Sequence, residues 1–368
     1  MRKKLIVLYN EDRKNPRNTW SGTSYSLRSA LEKYVDIIFI DSNNNLFERL
    51  LLKIITNIGK FHSCYLLNKI YVFFYTRRIN QKLKEYKNIP VLQIANKLIL
   101  KNDFYLYHDL SYYCWISANE KIEKIGKKFE YGNLNLFCKN ELERRIIEEE
   151  DLVSKAKRVY YMGNWVSNEM KQHYSNMKEK FCSVGGGLNN DFSISQCNKK
   201  KNQILFIGID FERKGGPLVL EAFQILKKKY LKDASLIIVG CEERKQVDGV
   251  VWTGRVEREE ISELFSVSEL FCMPSIFEAY GLVFLEALCF GIPVIARNDY
   301  EMPYFVKNGV NGYLLENEDA EKLAHYIYLA LCDEPMKKRV LGESKKYIEQ
   351  YSWNQVAKKI VSDIYGRD

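Results

Sequence analysis

Two glutamates stand eight positions apart in the stretch PSIFEAYGLVFLEALCFG, residues 274–291. The stretch follows an apolar strand candidate and reads as the opening of a helix, so Glu278 would precede the helix and Glu286 would lie about one and a half turns inside it. Gly281 would let a ligand approach the backbone, and the free N–H groups of the next turn attract anions. Glu286 could hold ribose hydroxyls, with Glu278 nearer a sugar. On spacing alone the pattern is weak, because glutamate pairs on helices are common and usually solvated.

A second stretch, GIDFERKGG at residues 208–216, also runs from the end of a strand into a helix. Arg213 and Lys214 are adjacent cations in it, followed by two glycines. Two fixed cations can neutralise the concentrated charge of a leaving diphosphate, so the stretch predicts phosphate chemistry without a metal. The alternative interpretation is a solvated basic turn. No Asp-x-Asp motif stands at a strand end, and we expect neither a metal nor a bound cofactor.

Apolar strand candidates and amphipathic helix candidates alternate along the chain of 368 residues. Residues 5–9 and 35–40 flank a helical segment in the N-terminal half, and residues 203–207 and 235–239 do so in the C-terminal half. Repeated strand–helix–strand units indicate parallel sheets. The expected fold is therefore α/β, with two Rossmann-like doubly wound domains facing a cleft.

The boundary between the two domains is expected in a stretch without periodicity. Three consecutive glycines at 185–187 and the polar run 198–202 interrupt the pattern, which indicates a linker between roughly 185 and 202. We therefore expect an N-terminal domain at residues 1–190, joined by the final helix at 353–368, and a C-terminal domain at 191–352.

The C-terminal half resembles family 4 of the retaining glycosyltransferases, which have the GT-B fold. Similar pieces occur in the family's order, and the Glu-x7-Glu element between PS and FGIPVIA is quite specific. The pieces are FIGIDFERKGG, LIIVG, VVWTGRV, CMPSIFEAYGLVFLEALCFGIPVIA and EMPYFVKNGVNGYLL. The resemblance implies that this domain binds a nucleotide-diphosphate sugar, either a UDP- or a GDP-sugar, as co-substrate, and that the N-terminal domain serves the acceptor.

The resemblance also implies roles for single residues. Lys214 and Arg213 would bind the donor phosphates, Glu286 the ribose, and Glu278 the transferred sugar. The remaining donor-binding candidates are Tyr280 and the backbone N–H groups of Gly281 and Leu282. Many members carry an arginine directly after the glycine that closes the first strand of this domain. This chain has Ile209 there, which leaves open whether Arg213 takes over that role.

The N-terminal half resembles the family only loosely. Gly22 stands where members have a glycine loop near the donor phosphates, and the alternative is a plain turn glycine. His108 follows a strand candidate, as does the histidine that many members place beside the donor sugar. The resemblance implies a catalytic role for His108 with Lys214 and Glu278. A capping loop would explain His108 equally well.

The predicted function is retaining transfer of a hexose from a nucleotide-diphosphate sugar to an acceptor hydroxyl, in surface polysaccharide or glycolipid biosynthesis. Two alternatives stay open: a non-catalytic subunit that binds a nucleotide sugar, and a GT-B-like sugar-nucleotide epimerase. Nucleic-acid binding is disfavoured because no RNA or DNA module signature is present. An oxidoreductase is disfavoured because no Gly-x-Gly-x-x-Gly follows the first strand.

The charge and the composition of the chain predict where in the cell the protein acts. The formal net charge is +9, and residues 46–88 are both basic and aromatic. This segment predicts peripheral contact with an anionic membrane surface through Lys69, Arg77 and Arg78, and the alternative is a buried or merely solvated face. No run of about 20 apolar residues occurs. Nine scattered cysteines indicate reduced thiols, so we expect a cytoplasmic enzyme, with an acceptor that is a saccharide or is lipid-linked.

Overall fold

The computed structural model describes residues 2–59, 65–124, 126, 139–189, 199–244 and 246–366. The chain divides into two compact units, one formed by Met1–Asn189 with Trp353–Asp368 and the other by Asn190–Ser352. Residues 190–198 of the predicted linker, and Cys64, Cys138 and Cys197, lie outside the described residues.

Unit 1 contains a parallel six-stranded sheet with the strand order β2-β1-β3-β4-β5-β6. Its strands are β1 (Lys4–Tyr9), β2 (Asp36–Asp41), β3 (Val91–Ile94), β4 (Phe104–His108), β5 (Arg158–Tyr161) and β6 (Phe181–Ser183). Its α-helices are α1 (Thr23–Leu31), α2 (Leu46–Gly59), α3 (Tyr65–Lys82), α4 (Tyr112–Lys124), α5 (Lys139–Lys155), α6 (Asn164–His173) and α13 (Trp353–Tyr365). The centre of β1, Leu5 to Leu8, has no exposed surface, as its unbroken apolar run predicts.

Unit 2 contains a second parallel six-stranded sheet with the order β12-β11-β10-β7-β8-β9. Its strands are β7 (Gln203–Ile207), β8 (Ser235–Val239), β9 (Val250–Gly254), β10 (Leu270–Cys272), β11 (Val294–Arg297) and β12 (Gly312–Leu315). Its α-helices are α7 (Gly216–Lys229), α8 (Arg258–Val267), α9 (Leu282–Cys289), α10 (Met302–Phe305), α11 (Ala320–Cys332) and α12 (Glu334–Gln350). The prediction of two Rossmann-like α/β units is confirmed.

The strand order explains which loops meet in unit 2. The chain proceeds from β7 to β8 and β9 on one side and then returns to the other side of β7 with β10. The order therefore reverses between β7 and β10, which are neighbours in the sheet. In open α/β sheets, ligands bind at the carboxyl ends of the strands at such a reversal. Both chemistry-bearing stretches of the sequence follow these two strands.

The basic and aromatic segment 46–88 is mainly helical, and its two adjacent arginines differ in environment. Arg77 is exposed, whereas Arg78 forms a two-pronged ion pair with buried Glu48, with Nε–Oε1 at 2.7 Å and Nη2–Oε2 at 2.8 Å. Arg78 also donates to the carbonyl oxygens of Ser42 and Asn43. The expectation that Arg78 belongs to an exposed basic surface is therefore wrong. Successive residues of a helix point about 100° apart, so Arg78 can lie against Glu48 while Arg77 faces solvent.

Candidate donor site

The loop that follows β7 is shaped by Asp210. Its carboxylate accepts hydrogen bonds from the backbone N–H of Arg213 at 3.1 Å and from Nε of the same residue at 3.1 Å. Its carbonyl oxygen accepts from the N–H of Lys214 at 2.9 Å. Gly208 leaves room for the stem of Lys214, because a Cβ there would lie 2.7 Å from Cγ of the lysine. Asp210 thus fixes the backbone of both cations, a role that we did not assign from the sequence, although aspartate side chains often bond nearby backbone groups in turns.

The loop that follows β10 brings Glu278 to these cations. Oε1 of Glu278 accepts hydrogen bonds from Nζ of Lys214 and from Oγ of Ser275, the latter at 2.8 Å, and lies 3.5 Å from Nη1 of Arg213. The two loops are also joined through their backbones, since the N–H of Ile276 donates to the carbonyl oxygen of Arg213 at 2.8 Å. The structure therefore brings together Arg213, Lys214 and Glu278, three of the predicted donor-site residues.

The electrostatic state of Glu278 follows from this cluster. Only 8% of the residue is exposed, and burial by itself would raise its pKa. Lys214, Arg213 and the Ser275 hydroxyl outweigh that effect and hold the pKa of Glu278 below its ordinary value. Glu278 is therefore a carboxylate at neutral pH. An ammonium group has three donors, so Lys214 can serve a second acceptor while it is paired with Glu278.

Helix α9 begins directly after Gly281. Gly281 has φ +89°, which favours glycine, and a Cβ there would lie 2.7 Å from Cε of Met302. Leu282 is the first helical residue, and the N–H groups of a first turn have no partner inside the helix. Tyr280, the residue before the cap, is 5% exposed and its ring packs edge-on against Phe305 at 5.2 Å. The buried Tyr280 ring thus supports the start of α9.

Glu286 lies on α9 and is half-buried. Burial raises the pKa of Glu286 to about 7, and the nearby Arg258 offsets only part of this effect. A carboxylate with this pKa changes its charge near neutral pH. Any hydrogen bonds that it accepts from a ligand are therefore sensitive to pH.

A cavity of about 710 Å³ opens at the carboxyl ends of β8 and β9. Its lining includes Gly240, Glu242, Arg244, Trp252 and Arg255, and the exposed side chain of Ile209 reaches it as well. The sequence analysis identified the segments of both flanking strands but assigned no functional residue to this cavity. The signal would have been the position of these loops, since they follow β8, which neighbours β7, and β9, which neighbours β8.

A buried arginine braces the loop that carries Glu278. Arg297, at the end of β11, is 4% exposed, and its Nε donates to the carbonyl oxygen of Ser275 at 3.2 Å. Its Nη2 donates to the carbonyl oxygen of Pro274 at 3.4 Å and to Oε1 of Glu318 at 2.6 Å. Arg297 thus fixes the backbone of the serine whose hydroxyl holds Glu278. Sequence reasoning missed this residue because it lies 22 positions from Ser275.

His108 ends β4 in unit 1 and is 6% exposed. Burial, with a smaller contribution from Lys97, lowers the pKa of His108 to about 3. The imidazole is therefore neutral at physiological pH. Its Nε2 is buried and has no hydrogen-bond partner among the residues that the structure describes. Such an atom can serve a polar ligand group.

Gly22 caps the N-terminus of α1 in unit 1, with φ +91°. Trp20 and Ser21 before it also have positive φ, 48° and 55°, which is unusual for residues with a side chain. The Trp20 ring contacts Tyr107 edge-on at 6.2 Å, and Tyr107 directly precedes His108. This contact links the glycine loop to the strand that ends at His108.

Among the described residues, no group of three or more His, Cys, Asp or Glu side chains is arranged to hold a metal ion. The cations of the candidate site are Arg213 and Lys214, held by Asp210 and Glu278.

Comparisons with known proteins place the sequence similarity mainly in unit 2. Residues 189–347 match the family described as glycosyl transferases group 1. An uncharacterised 41.2 kDa protein from the cps region of Klebsiella pneumoniae is 32% identical over 140 residues, which cover 35% of this chain and 38% of that protein. A phosphatidyl-myo-inositol mannosyltransferase of Mycobacterium leprae is 26% identical over 168 residues, which cover 43% of this chain and 45% of that protein. The chain thus spans less than half the length of these curated relatives.

Solved structures share the fold across the whole chain. WaaG, a glycosyltransferase involved in lipopolysaccharide biosynthesis, has a TM-score of 0.64 at 17% identity and covers 99% of this chain and 100% of its own. A glycosyltransferase from Rickettsia africae has a TM-score of 0.66 at 16% identity and covers 100% of both chains. The chain therefore has the two Rossmann-like units of the GT-B glycosyltransferase fold, and its stretch 189–347 carries the similarity to group 1.

Proposed function

We propose that this protein transfers a hexose from a nucleotide-diphosphate sugar to an acceptor hydroxyl with retention, as a member of glycosyltransferase family 4. The observation that carries the proposal is the cluster of Lys214, Arg213 and Glu278 at the strand-order reversal of unit 2. A diphosphate leaving group needs fixed positive charge, and a sugar needs an ionised acceptor of its hydroxyl protons. The cluster provides both.

We propose that the donor diphosphate lies between Lys214, Arg213 and the N-terminus of α9. Lys214 and the first N–H groups of α9, those of Leu282 and Val283, would donate to phosphate oxygens. During transfer, the bond between the anomeric carbon and the phosphate oxygen breaks, and a bond to the acceptor oxygen forms on the same face. The acceptor proton passes to the leaving phosphate. The cations stabilise the charge that develops on this phosphate.

The nucleoside end of the donor would occupy the cavity at β8 and β9. Trp252 and the planar guanidinium groups of Arg244 and Arg255 are groups that stack on bases. Glu286 would accept hydrogen bonds from ribose hydroxyls in its ionised form. Ile209 would pack at this cavity, which leaves the phosphates to Arg213 and Lys214. We propose a UDP- or GDP-sugar as the donor, and no cofactor.

Glu278 would accept from hydroxyl groups of the transferred sugar, and Tyr280 and Gly281 would hold the backbone around it. His108 would act as a neutral hydrogen-bonding group through Nε2, because its lowered pKa prevents it from carrying a charge. Gly22 would admit the diphosphate close to the backbone at the start of α1. These roles make Lys214, Glu278 and His108 the catalytic residues.

The acceptor is proposed to be a saccharide or lipid-linked saccharide of a surface polysaccharide or glycolipid. The relative WaaG is named for lipopolysaccharide biosynthesis, and another relative is a phosphatidyl-myo-inositol mannosyltransferase. The net charge of +9 and the exposed cations of α3 favour peripheral contact of a cytoplasmic enzyme with an anionic membrane.

The test is a screen of UDP-, GDP- and ADP-sugars by thermal shift, followed by mass spectrometry of donor hydrolysis and transfer. A nucleotide sugar should stabilise the chain and be slowly hydrolysed, and both signals should survive excess EDTA. Binding without hydrolysis or transfer would indicate a non-catalytic subunit, and conversion of one sugar nucleotide into another would indicate an epimerase. Activity that disappears with EDTA and returns with Mg²⁺ or Mn²⁺ would contradict the phosphate site.

A further inference from the structure

Unit 1 has an unusual connection between two parallel strands. Four of its five strand-to-strand connections contain at least one α-helix, but β3 and β4 are joined by residues 95–103 without an α-helix. Parallel strands usually need a crossover helix. A cavity of about 1070 Å³ lies over this connection and is lined by α3, the loop and α5. This groove is distinct from the cluster at Lys214, which belongs to unit 2.

The groove is positively charged. Seven cationic side chains line it against three carboxylates. Two of the carboxylates are engaged, since Glu149 pairs with Lys97 at 2.9 Å and Asp151 pairs with Lys155 at 2.7 Å. In the part of the chain that the structure describes, the exposed cations Arg77, Lys84 and Lys101 have no carboxylate within 4.0 Å. The groove therefore carries an excess of positive charge.

The groove is also apolar. Phe73 and Ile147 line it with 58% and 66% of their surface exposed, and Val72 and Ile99 are also exposed. Exposed apolar surface continues from the groove onto α2, where Phe47 contacts Phe74 edge-on at 5.4 Å. Contiguous exposed apolar surface indicates a binding region. A hydrophilic polyanion would use the cations but leave this apolar surface without a partner.

We propose that the groove binds a lipid phosphate, with the phosphate on Arg77, Lys84 and Lys101 and the hydrocarbon chain on Phe73, Ile147 and the adjoining face of α2. This inference rests on the proposed function, because the lipid phosphate would be the carrier of the saccharide acceptor. Both the net positive charge and the apolar lining are complementary to such an amphiphile. Contacts of guanidinium and ammonium groups with a phosphate are charge-assisted and strong.

Lys97 connects this groove to the proposed chemistry within unit 1. It lines the groove and holds Glu149, and its Nζ lies 3.7 Å from the centre of the Tyr112 ring. It is also close enough to His108 to contribute to the lowered pKa of the imidazole. Lys97 thus links the groove electrostatically to His108.

The experiment is isothermal titration calorimetry of the full chain with farnesyl phosphate below its micelle concentration. Farnesol and inorganic phosphate are titrated separately to distinguish a hydrocarbon site and a free-anion site from a lipid-phosphate site. Farnesyl phosphate should bind at least about tenfold more tightly than either part, and R77Q/K101Q should weaken it by about tenfold or more. The matched control is K33Q/K171Q, which removes two exposed charges of unit 1 outside the groove.

Three results would overturn the proposal: no binding of farnesyl phosphate, equal binding of one of its parts, or equal weakening by both double variants. Circular dichroism of the variants checks that they are folded. The experiments distinguish an error in the groove proposal from an error in the proposed function. If the wild-type protein binds and hydrolyses a nucleotide sugar but does not bind farnesyl phosphate, only the groove proposal is wrong. If farnesyl phosphate binds in the groove but no nucleotide sugar does, the proposed function alone falls.

Discussion

Nζ of Lys214 donates a hydrogen bond to Oε1 of Glu278, although the two residues are 64 positions apart in the chain. The contact joins the loops after β7 and β10, the neighbouring strands between which the strand order of unit 2 reverses. The ammonium of Lys214 helps to keep the buried carboxylate of Glu278 ionised. The pair therefore gives the candidate site a fixed cation and a fixed anion side by side.

Lys214→Ala tests the cation of this pair. We expect kcat to fall by about 100-fold or more while the fold stays intact, because the lysine would stabilise charge that develops on the leaving diphosphate. The measurement is steady-state transfer or donor hydrolysis, with circular dichroism as the check on folding. Lys228→Ala removes an exposed lysine from α7 and should leave the rate unchanged. Wild-type turnover in Lys214→Ala would exclude the lysine from the mechanism.

The fold was predictable from the sequence because the strands are short and apolar and lie between amphipathic helices. The regions of β7, β8 and β10 were each recognised from their residues. That the loops after β7 and β10 meet depends on the order of the strands, which periodicity does not contain. Arg213, Lys214 and Glu278 were singled out by type and by resemblance, but their direct contact required the sheet.

Other features were beyond sequence reasoning for physical reasons. Arg297 bonds a loop that lies 22 positions away in the chain. The residues around Arg297 in the sequence do not indicate this contact between two strand ends. The raised pKa of Glu286 comes from burial by surrounding side chains, which a helical pattern predicts only in outline. The different environments of Arg77 and Arg78 depend on the rotation of α3 about its axis.

Glu286→Gln tests the ribose contact. We expect a higher donor KM with a smaller change in kcat, because ribose contacts are similar in ground and transition states. The pKa of Glu286 is about 7, so the carboxylate is lost as the pH falls through 7, and wild-type donor affinity should fall from pH 8 to pH 6. The variant should lack this dependence, and Glu263→Gln on α8 is the control. An unchanged KM in Glu286→Gln would contradict the ribose role.

His108→Gln tests the buried neutral imidazole. The pKa of His108 is lowered to about 3 from 6.5, so the folded state binds fewer protons than the unfolded state below pH 6.5. The wild type should therefore lose up to about 2 kcal/mol of stability between pH 6.5 and pH 5 that the variant does not lose. Chemical denaturation at several pH values measures this difference. His325→Gln replaces an exposed imidazole and should keep the wild-type slope.

Arg297→Met tests the brace on the Glu278 loop. Loss of the bonds to Pro274 and Ser275 should lower kcat by about 10- to 100-fold through misplacement of the carboxylate. The Ser275 hydroxyl helps to lower the pKa of Glu278, so the acid limb of the rate profile should move to higher pH in the variant.

Arg297→Lys should restore part of the rate, and Arg339→Met is the matched control for this brace. Arg339 also donates to two consecutive carbonyl oxygens of unit 2, at 3.0 and 3.5 Å, but is exposed. If the acid limb of the rate profile in Arg297→Met stays at the wild-type pH, Arg297 stabilises the fold but does not position Glu278.

The adjacent arginines of α3 give opposite predictions about membrane contact. Each cation near an anionic surface contributes about 1 kcal/mol, so neutralising Lys69, Arg77 and Lys84 together should weaken vesicle binding by about 100-fold at low salt. Arg78→Gln should instead destabilise the fold by about 3–5 kcal/mol, because it leaves buried Glu48 without its ion-pair partner. Co-sedimentation with phosphatidylglycerol vesicles and thermal melting separate the two effects. The charge-matched control neutralises three exposed lysines of the same unit, Lys33, Lys171 and Lys178. If the wild-type protein does not bind these vesicles at low salt, the basic face of α3 contacts only solvent.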